Sequence, residues 1–338
     1  MQAIILASGR GARFRPLTDT LPKPLLPLLN RPLLEHLLTN LTKVGCTDFY
    51  VTVGYAHTQL EQFLTALQDS SSIESVYIPD WEQGPLTSFR TALLYINSNE
   101  PFLLVPADLY ISPQNLKLLT SSDLPMTILY DPQTPLPGTQ LQIDSSHQVS
   151  KIVQSLTFRS NHYSTIPALR GTPEFRTFSI KNHLETQSTV FTLLRQWLRL
   201  GHPLQGVPIH DSRWCDVDSP HQLLDLNQHL LTRAWPPDPV PPGTYVPSDS
   251  SLEGPLHDTT LTLGEHSKIL GPTLLGPNVE VGDHCLIRGG TTLGSATRIQ
   301  ANSELAHCIT LPHTHVPSNV DLSRSLLDAH GNILHADE

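Results

Sequence analysis

The chain has 338 residues, of which 21 are Lys or Arg and 31 are Asp or Glu, giving a formal net charge of −10. At roughly 100 to 200 residues per domain this length predicts two domains, and the acidic balance excludes a protein that grips nucleic acid through a basic face. Charged residues make up only 15% and hydrophobic ones 38%, with 30 Pro and 19 Gly, which excludes a disordered polyelectrolyte and a coiled coil.

Short apolar runs alternate with amphipathic stretches over the first 230 residues, the pattern of a parallel sheet flanked by helices. Residues 3–7, 49–53, 76–79 and 102–105 are predicted strands. Between the first two, Pro32 occupies an expected helix N1 position. Leu34, Leu37, Leu38 and Leu41 then recur at helical spacing, and Gly45 supplies the stop. The expected fold class is α/β, a Rossmann-like mixed or parallel sheet. No stretch reaches the ~18 uninterrupted apolar residues of a membrane helix, and residues 1–7 meet Gly9 and Arg10 too soon for a signal peptide. Cys46, Cys215, Cys285 and Cys308 show neither a CxxC pair nor metal-ligand spacing, so a reducing, cytoplasmic setting is expected.

The prolines of residues 235–243 break the alternation because they lack amide donors. An α/β domain is therefore drawn over 1–234, a Pro-rich linker over 235–248, a repeat domain over 249–328 and a tail over 329–338. Within the repeat domain Leu263, Ile269, Leu275, Val281, Ile287, Leu293, Ile299, Leu305 and Leu311 recur at a spacing of six. Neither a helix nor a simple strand has that period. It resembles the hexapeptide repeat of left-handed parallel β-helices, in which the aliphatic residue of each hexapeptide points inward. Val246 and Leu252 before the run, and Val316 and Leu322 after it, extend it with one-residue slips to about four coils.

The densest chemical signal follows the first strand: Leu6-Ala7-Ser8-Gly9-Arg10-Gly11-Ala12-Arg13-Phe14-Arg15-Pro16-Leu17-Thr18, then Pro22-Lys23-Pro24. Glycines in such a turn let backbone amides approach phosphate oxygens. A dinucleotide fingerprint lacks its third glycine here, and a P-loop lacks its Gly-Lys-Ser/Thr ending. Three arginines within six residues suit a polyphosphate held by forked hydrogen bonds; an exposed basic loop is the alternative. A second signal is Asp108, just past the strand at 102–105, where open α/β sheets bind ligands; a turn or helix-capping Asp is the alternative there. A third is Trp214-Cys215-Asp216-Val217-Asp218-Ser219-Pro220.

Together these strings resemble the sugar-phosphate nucleotidyltransferase family, whose signature runs Leu-Ala-x-Gly-x-Gly-x-Arg-Leu-x-Pro-Leu-Thr and then Pro-Lys-Pro, with a later Trp-x-Asp-Ile-Gly-Thr-Pro. The resemblance implies a nucleotidyltransferase domain that condenses a nucleoside triphosphate with a sugar 1-phosphate and releases pyrophosphate. It implies that Leu6, Ala7, Ser8, Gly9 and Gly11 line the nucleotide, that Arg13 holds the departing phosphates and that Lys23 reaches the α phosphorus and the incoming sugar phosphate. Asp108 and Asp216 would hold Mg²⁺, and Gln83 and Gly84 would meet the base. Asp218 stands where the family has Gly, with a cap on the helix from Pro220 as its alternative role. The family's Glu-Lys-Pro acceptor segment is replaced by Val153-Gln154-Ser155, and Lys151, Arg159 and Lys181 are possible substitute anchors or surface cations. Other readings are a catalytically silent regulatory homologue and a cytidylyltransferase acting on a non-sugar phosphate. The repeat histidines are expected on rungs or surface rather than in acyl transfer. The β-helix implies a homo-oligomer, with no nucleic acid and no membrane as partner.

Overall fold

The computed structural model describes residues 1–67, 72–120, 125–134, 136–157, 161–182, 188–211, 213–233, 243–257 and 260–336. By contact the chain divides into two compact units, Met1–Arg10 with Leu34–Asp216, and Gly11–Leu33 with Val217–Glu338. This partition is discontinuous where the sequence reading draws a linear one, and the chain passes between the units inside the signature itself. Prolines 236, 237, 239, 241 and 242 of the expected linker lie outside the described residues.

In the first unit, β1 (Gln2–Leu6), β2 (Asp48–Val53), β3 (Ser72–Tyr77) and β4 (Phe102–Pro106) are parallel neighbours in the order β3-β2-β1-β4. Ile4, Ile5, Phe49, Val51, Phe102 and Leu103 are buried, the near-continuous apolar run of strands covered on both faces. Strand β3 begins four residues before its expected start. Its sequence, Ser-Ile-Glu-Ser-Val-Tyr, buries only Ile73 and Val76, so an edge strand with a solvated face offers no apolar run to read. After β4 come β5 (Leu109–Ile111), β6 (Thr127–Asp131), β7 (Gly138–Ile143), β8 (Val149–Ser155), β9 (His162–Gly171), β10 (Gln205–Pro208) and β11 (Trp214–Asp216). The long β9 runs antiparallel to β4, β6 and β7, which makes a mixed nine-stranded sheet. Helices α1 (Leu33–Lys43), α2 (His57–Ala66), α3 (Pro85–Ala92), α4 (Pro113–Lys117), α5 (Pro173–Lys181) and α6 (Val190–Arg199) belong to the same alternation. Pro32 is not the first helical residue. It pairs with Pro27 in a two-stranded hairpin, and α1 starts one residue later.

The second unit joins the signature loop, helix α7 (Pro220–Arg233) and the repeats. Three sheets each hold four parallel strands, and the chain visits them in turn, so Leu263 stacks on Val281 and Ile299, and Ile269 on Ile287 and Leu305. This is a parallel β-helix of four coils. All nine residues of the six-spaced run are buried. The spacing slips at the end of that run: Ile309 stacks on Thr292, which offsets Leu311 from Leu293 by one residue, and Val316 then stacks on Ile299. The segment before the run does not extend the parallel coils. Thr244–Val246, Ser251–Glu253 and Leu256–His257 pair antiparallel with the first strand of each sheet, and Ile333–His335, in the expected tail, pairs antiparallel with the last strand of one sheet. Such strands cover backbone edges that stacked coils otherwise present to other chains.

Candidate functional site

In the second unit the signature turn is built around Gly11. Its φ of 68° lies in the left-handed region, and a Cβ there would stand 2.6 Å from Lys23 Cβ. Glycine is required on both counts. The Gly11 carbonyl accepts hydrogen bonds from Phe14 N at 3.0 Å and Thr18 Oγ1 at 2.9 Å, which winds residues 12–14 into a short 3₁₀ turn and directs Arg13 outward. Arg13 Nη1 lies 3.1 Å from Asp218 Oδ2 and donates to the Asp218 carbonyl at 3.3 Å. Lys23 Nζ donates to Asp218 Oδ1 at 3.3 Å and sits 5.7 Å from the centre of the Phe14 ring. Gly11, Ala12, Arg13, Phe14, Lys23 and Asp218 line a cleft of about 280 Å³.

One carboxylate thus faces two cations. Lys23 is buried, whereas the Arg13 and Asp218 side chains are 66% and 46% exposed, so their attraction is screened by water and contributes at most ~1 kcal/mol. Asp218 does not cap α7. Ser219 Oγ accepts from Gln222 N at 3.3 Å, while Gln222 Oε1 accepts from Asp218 N at 2.9 Å and Ser219 Oγ at 3.1 Å, a variant of the capping box. Asp218, for which the sequence offered a capping role, instead faces both cations of the cleft. Its signal was its place two residues after Asp216, where the family pattern carries no side chain.

In the first unit the nucleotide candidates gather where β1 and β4 end side by side. Strand order reverses between them, the position at which open α/β sheets form a ligand crevice. Leu6 closes β1, and its carbonyl accepts from Ala107 N at 3.0 Å. Ala7 N donates to Thr52 Oγ1 at 3.1 Å. Ser8 is buried, shares a 2.7 Å hydrogen bond between its Oγ and Ser88 Oγ, and accepts from Tyr55 N at 3.0 Å through its carbonyl. The Ser8–Ser88 bond ties the turn to α3, which follows the expected base segment. There Gln83 is exposed at the end of a 3₁₀ turn, and Gly84 has a φ of 99° that admits Pro85 as the first residue of α3. Gly9 is exposed, and a Cβ on it would meet nothing within 4 Å. Arg10 lies over the Tyr55 ring at 5.3 Å.

Asp108 follows β4, and Asp216 ends β11, which pairs antiparallel with β5 so that Asp216 stands opposite Leu109. Their half-buried carboxylates offer oxygens within 4.8 Å of each other. Trp214 Nε1 holds β11 in place by donating to the buried Asp131 at 2.9 Å. Two carboxylates at that separation, supplying only hard oxygen donors, fit a divalent cation.

The acceptor-side candidates are not brought together in this way. Lys151 is exposed on β8, Arg159 lies outside the described residues, and Lys181 lines a cavity of about 710 Å³ with Phe178, Trp197 and His202. That larger cavity is walled by aromatic rings, the Trp197 and His202 rings stacking at 4.1 Å, and lacks the paired cations of the signature. In the repeats His266 stacks on His284 at 4.9 Å, and among the described residues no group of three metal-ligating side chains occurs there.

Residues 3–131 match the family described as the MobA-like NTP transferase domain. Along most of its length the chain is similar to a probable mannose-1-phosphate guanylyltransferase of Arabidopsis thaliana, 23% identical over 98% of this chain and 87% of the relative. Over 111 residues, 32% of this chain and 47% of the relative, it is 39% identical to an N-acetylmuramate alpha-1-phosphate uridylyltransferase of Neisseria meningitidis serogroup B. Among solved structures, an apo UDP-glucose pyrophosphorylase superposes with a TM-score of 0.60 at 18% identity, covering 69% of this chain and 98% of that one. The inositol-1-phosphate CTP transferase of T. maritima gives 0.58 at 20% identity, covering 67% and 96%. The matched residues form a nucleotidyltransferase domain. Over residues 3–131 and, more distantly, along most of its length, the chain is similar to sugar-phosphate nucleotidyltransferases.

Proposed function

We propose that the protein condenses a nucleoside triphosphate with a sugar 1-phosphate. An acceptor phosphate oxygen forms the new bond to the α phosphorus, the bond from that phosphorus to the bridging β oxygen breaks, and pyrophosphate leaves. Such a displacement needs alignment and charge neutralisation more than covalent help. The observation that supports this reading most is that Arg13 and Lys23, ten residues apart, both reach one screened carboxylate in the cleft of the glycine turn. Phosphate oxygens compete for the same donors at little cost, because that carboxylate is held weakly.

In this proposal the backbone at Gly9 and Gly11 follows the triphosphate, Arg13 binds the phosphates that leave, and Lys23 binds at the α phosphorus. Leu6, Ala7, Ser8, Gln83 and Gly84 take the nucleoside. Asp108 and Asp216 would hold Mg²⁺, which when bound supplies positive charge to the phosphates. The guanylyl and uridylyl relatives favour a sugar 1-phosphate as acceptor and leave the base to experiment. We place the protein in the cytoplasm, where thiols such as those of Cys46, Cys285 and Cys308 stay reduced, and assign the β-helix a homo-oligomeric contact. Among the described residues no helix is long and apolar enough to cross a membrane.

The test is a thermal-shift screen of the common nucleoside triphosphates with Mg²⁺, since a ligand of the folded state raises the midpoint by mass action, followed by pyrophosphate release from the stabilising triphosphate with a panel of sugar 1-phosphates. Stabilisation by one base and turnover with one sugar are expected. Stabilisation without turnover across the panel would indicate a regulatory subunit instead.

A further inference from the structure

The hairpin that follows Lys23 is strained, and the groups that hold it come from α7 and the β-helix. Pro27–Leu28 and Arg31–Pro32 are joined by Leu29 and Asn30, whose φ angles are 50° and 60°. Two positive φ values in a two-residue loop define a type I′ turn, for which Asn-Gly is the favoured sequence. Leucine in the left-handed region is disfavoured, and such a residue persists only where its surroundings over-determine it.

Those surroundings centre on Asn227 of α7, which is fully buried. Its Oδ1 accepts from Leu29 N at 3.3 Å and from Thr292 Oγ1 at 3.0 Å, and its Nδ2 donates to the Gly290 carbonyl at 3.3 Å. A second tie comes from the turn itself, where Asn30 Nδ2 donates to the Leu293 carbonyl at 3.0 Å. The hairpin is coupled to Lys23 by a short backbone path: Leu26 N donates to the Lys23 carbonyl at 3.0 Å, and the Leu26 carbonyl accepts from Leu33 N at 3.0 Å. The same helix carries Gln222, which holds the backbone of Asp218.

We propose that Asn227 is a positioning residue: it clamps the Leu29–Asn30 turn onto the β-helix coil at 290–293 and so fixes Lys23 in the cleft. The β-helix then supports the phosphate grip directly, in addition to any role in assembly. The consequence for catalysis rests on the proposed transferase reaction, while the clamp itself does not.

Two variants of the full-length protein test it, Asn227→Ala and Asn30→Gly. The second retains a residue suited to positive φ and removes only the tie to Leu293, so it decides the matter if the first fails to fold. Lysine acylation by an N-hydroxysuccinimide ester, followed by mass spectrometry, reads the exposure of Lys23 against Lys268 as internal reference. Lys23 labelling is expected to rise about tenfold relative to Lys268 in the folded variants, as when a local opening governs access. Under the proposed transferase reaction the KM for the triphosphate should rise. Unchanged Lys23 labelling in a folded variant would overturn the clamp. A wild-type protein that turns over no triphosphate would overturn the transferase reading, with the labelling still deciding the clamp.

Discussion

Replacing Gly11 by Ala places a methyl group where the structure leaves no room for one. Two costs can be worked out. A non-glycine residue at φ 68° is disfavoured by ~1–2 kcal/mol. The new Cβ would stand 2.6 Å from Lys23 Cβ, an atom fixed to the backbone that cannot swing aside, and such overpacking typically costs ~1–3 kcal/mol. The lower bound of ~2 kcal/mol already depletes the geometry that brings Lys23 to Asp218 by about 30-fold, at 1.4 kcal/mol per factor of ten. Urea unfolding and the kcat/KM for pyrophosphate release read the two consequences separately. Gly9→Ala is the control for stability, since its methyl meets nothing within 4 Å and should change unfolding by less than ~0.5 kcal/mol. A Gly11→Ala protein with wild-type stability and wild-type kcat/KM would refute the argument that this turn and Lys23 are packed as one piece.

Asp108→Asn removes a charged oxygen donor rather than a core contact, so turnover should fall by orders of magnitude with an unchanged melting curve; near-normal turnover would take Asp108 out of the site. Ile287→Ala, at a fully buried rung of the β-helix, should cost ~2–5 kcal/mol in urea unfolding, and a loss below that range would mean the coil interior collapses around the gap. Burial pushes the Cys308 thiol up to about 11 from an ordinary 9.0. Because the folded state favours the neutral thiol, its contribution is intact below about pH 9 and fades as pH rises toward 11, by up to ~3 kcal/mol. Cys308→Ala should flatten the alkaline limb of the stability profile, and an identical limb in wild type and variant would assign it to other groups.

Most of this architecture was legible in the sequence because two of its signals are periodic or dense. Nine aliphatic residues at a spacing of six admit few folds, and every one of them is buried. What escaped were features set by tertiary context. Val246 and Leu252 carry the same residue types as the repeats, yet their strands run antiparallel, and composition does not encode direction. The one-residue slip expected on the way to Val316 already shows at Ile309, which stacks on Thr292 while the six-residue spacing still continues to Leu311. A leucine at positive φ follows no local rule, so the turn at Leu29 had to be seen with Asn227 behind it. Of the two proposed metal ligands, Asp108 was expected from its place past a strand and Asp216 from the resemblance of its segment to the family pattern, whereas Asp218 was offered as a cap because helix caps favour Asp; the neighbouring Ser219 and Gln222 fill that role.

The most direct test of the central claim, transfer at the α phosphorus, is ³¹P NMR of a reaction containing wild-type protein, Mg²⁺, the triphosphate selected by thermal shift and a sugar 1-phosphate. The account predicts that the triphosphate and sugar phosphate resonances decline together while a diphosphate ester and inorganic pyrophosphate grow in equal amounts. Growth of orthophosphate and nucleoside diphosphate with the sugar phosphate untouched would contradict it.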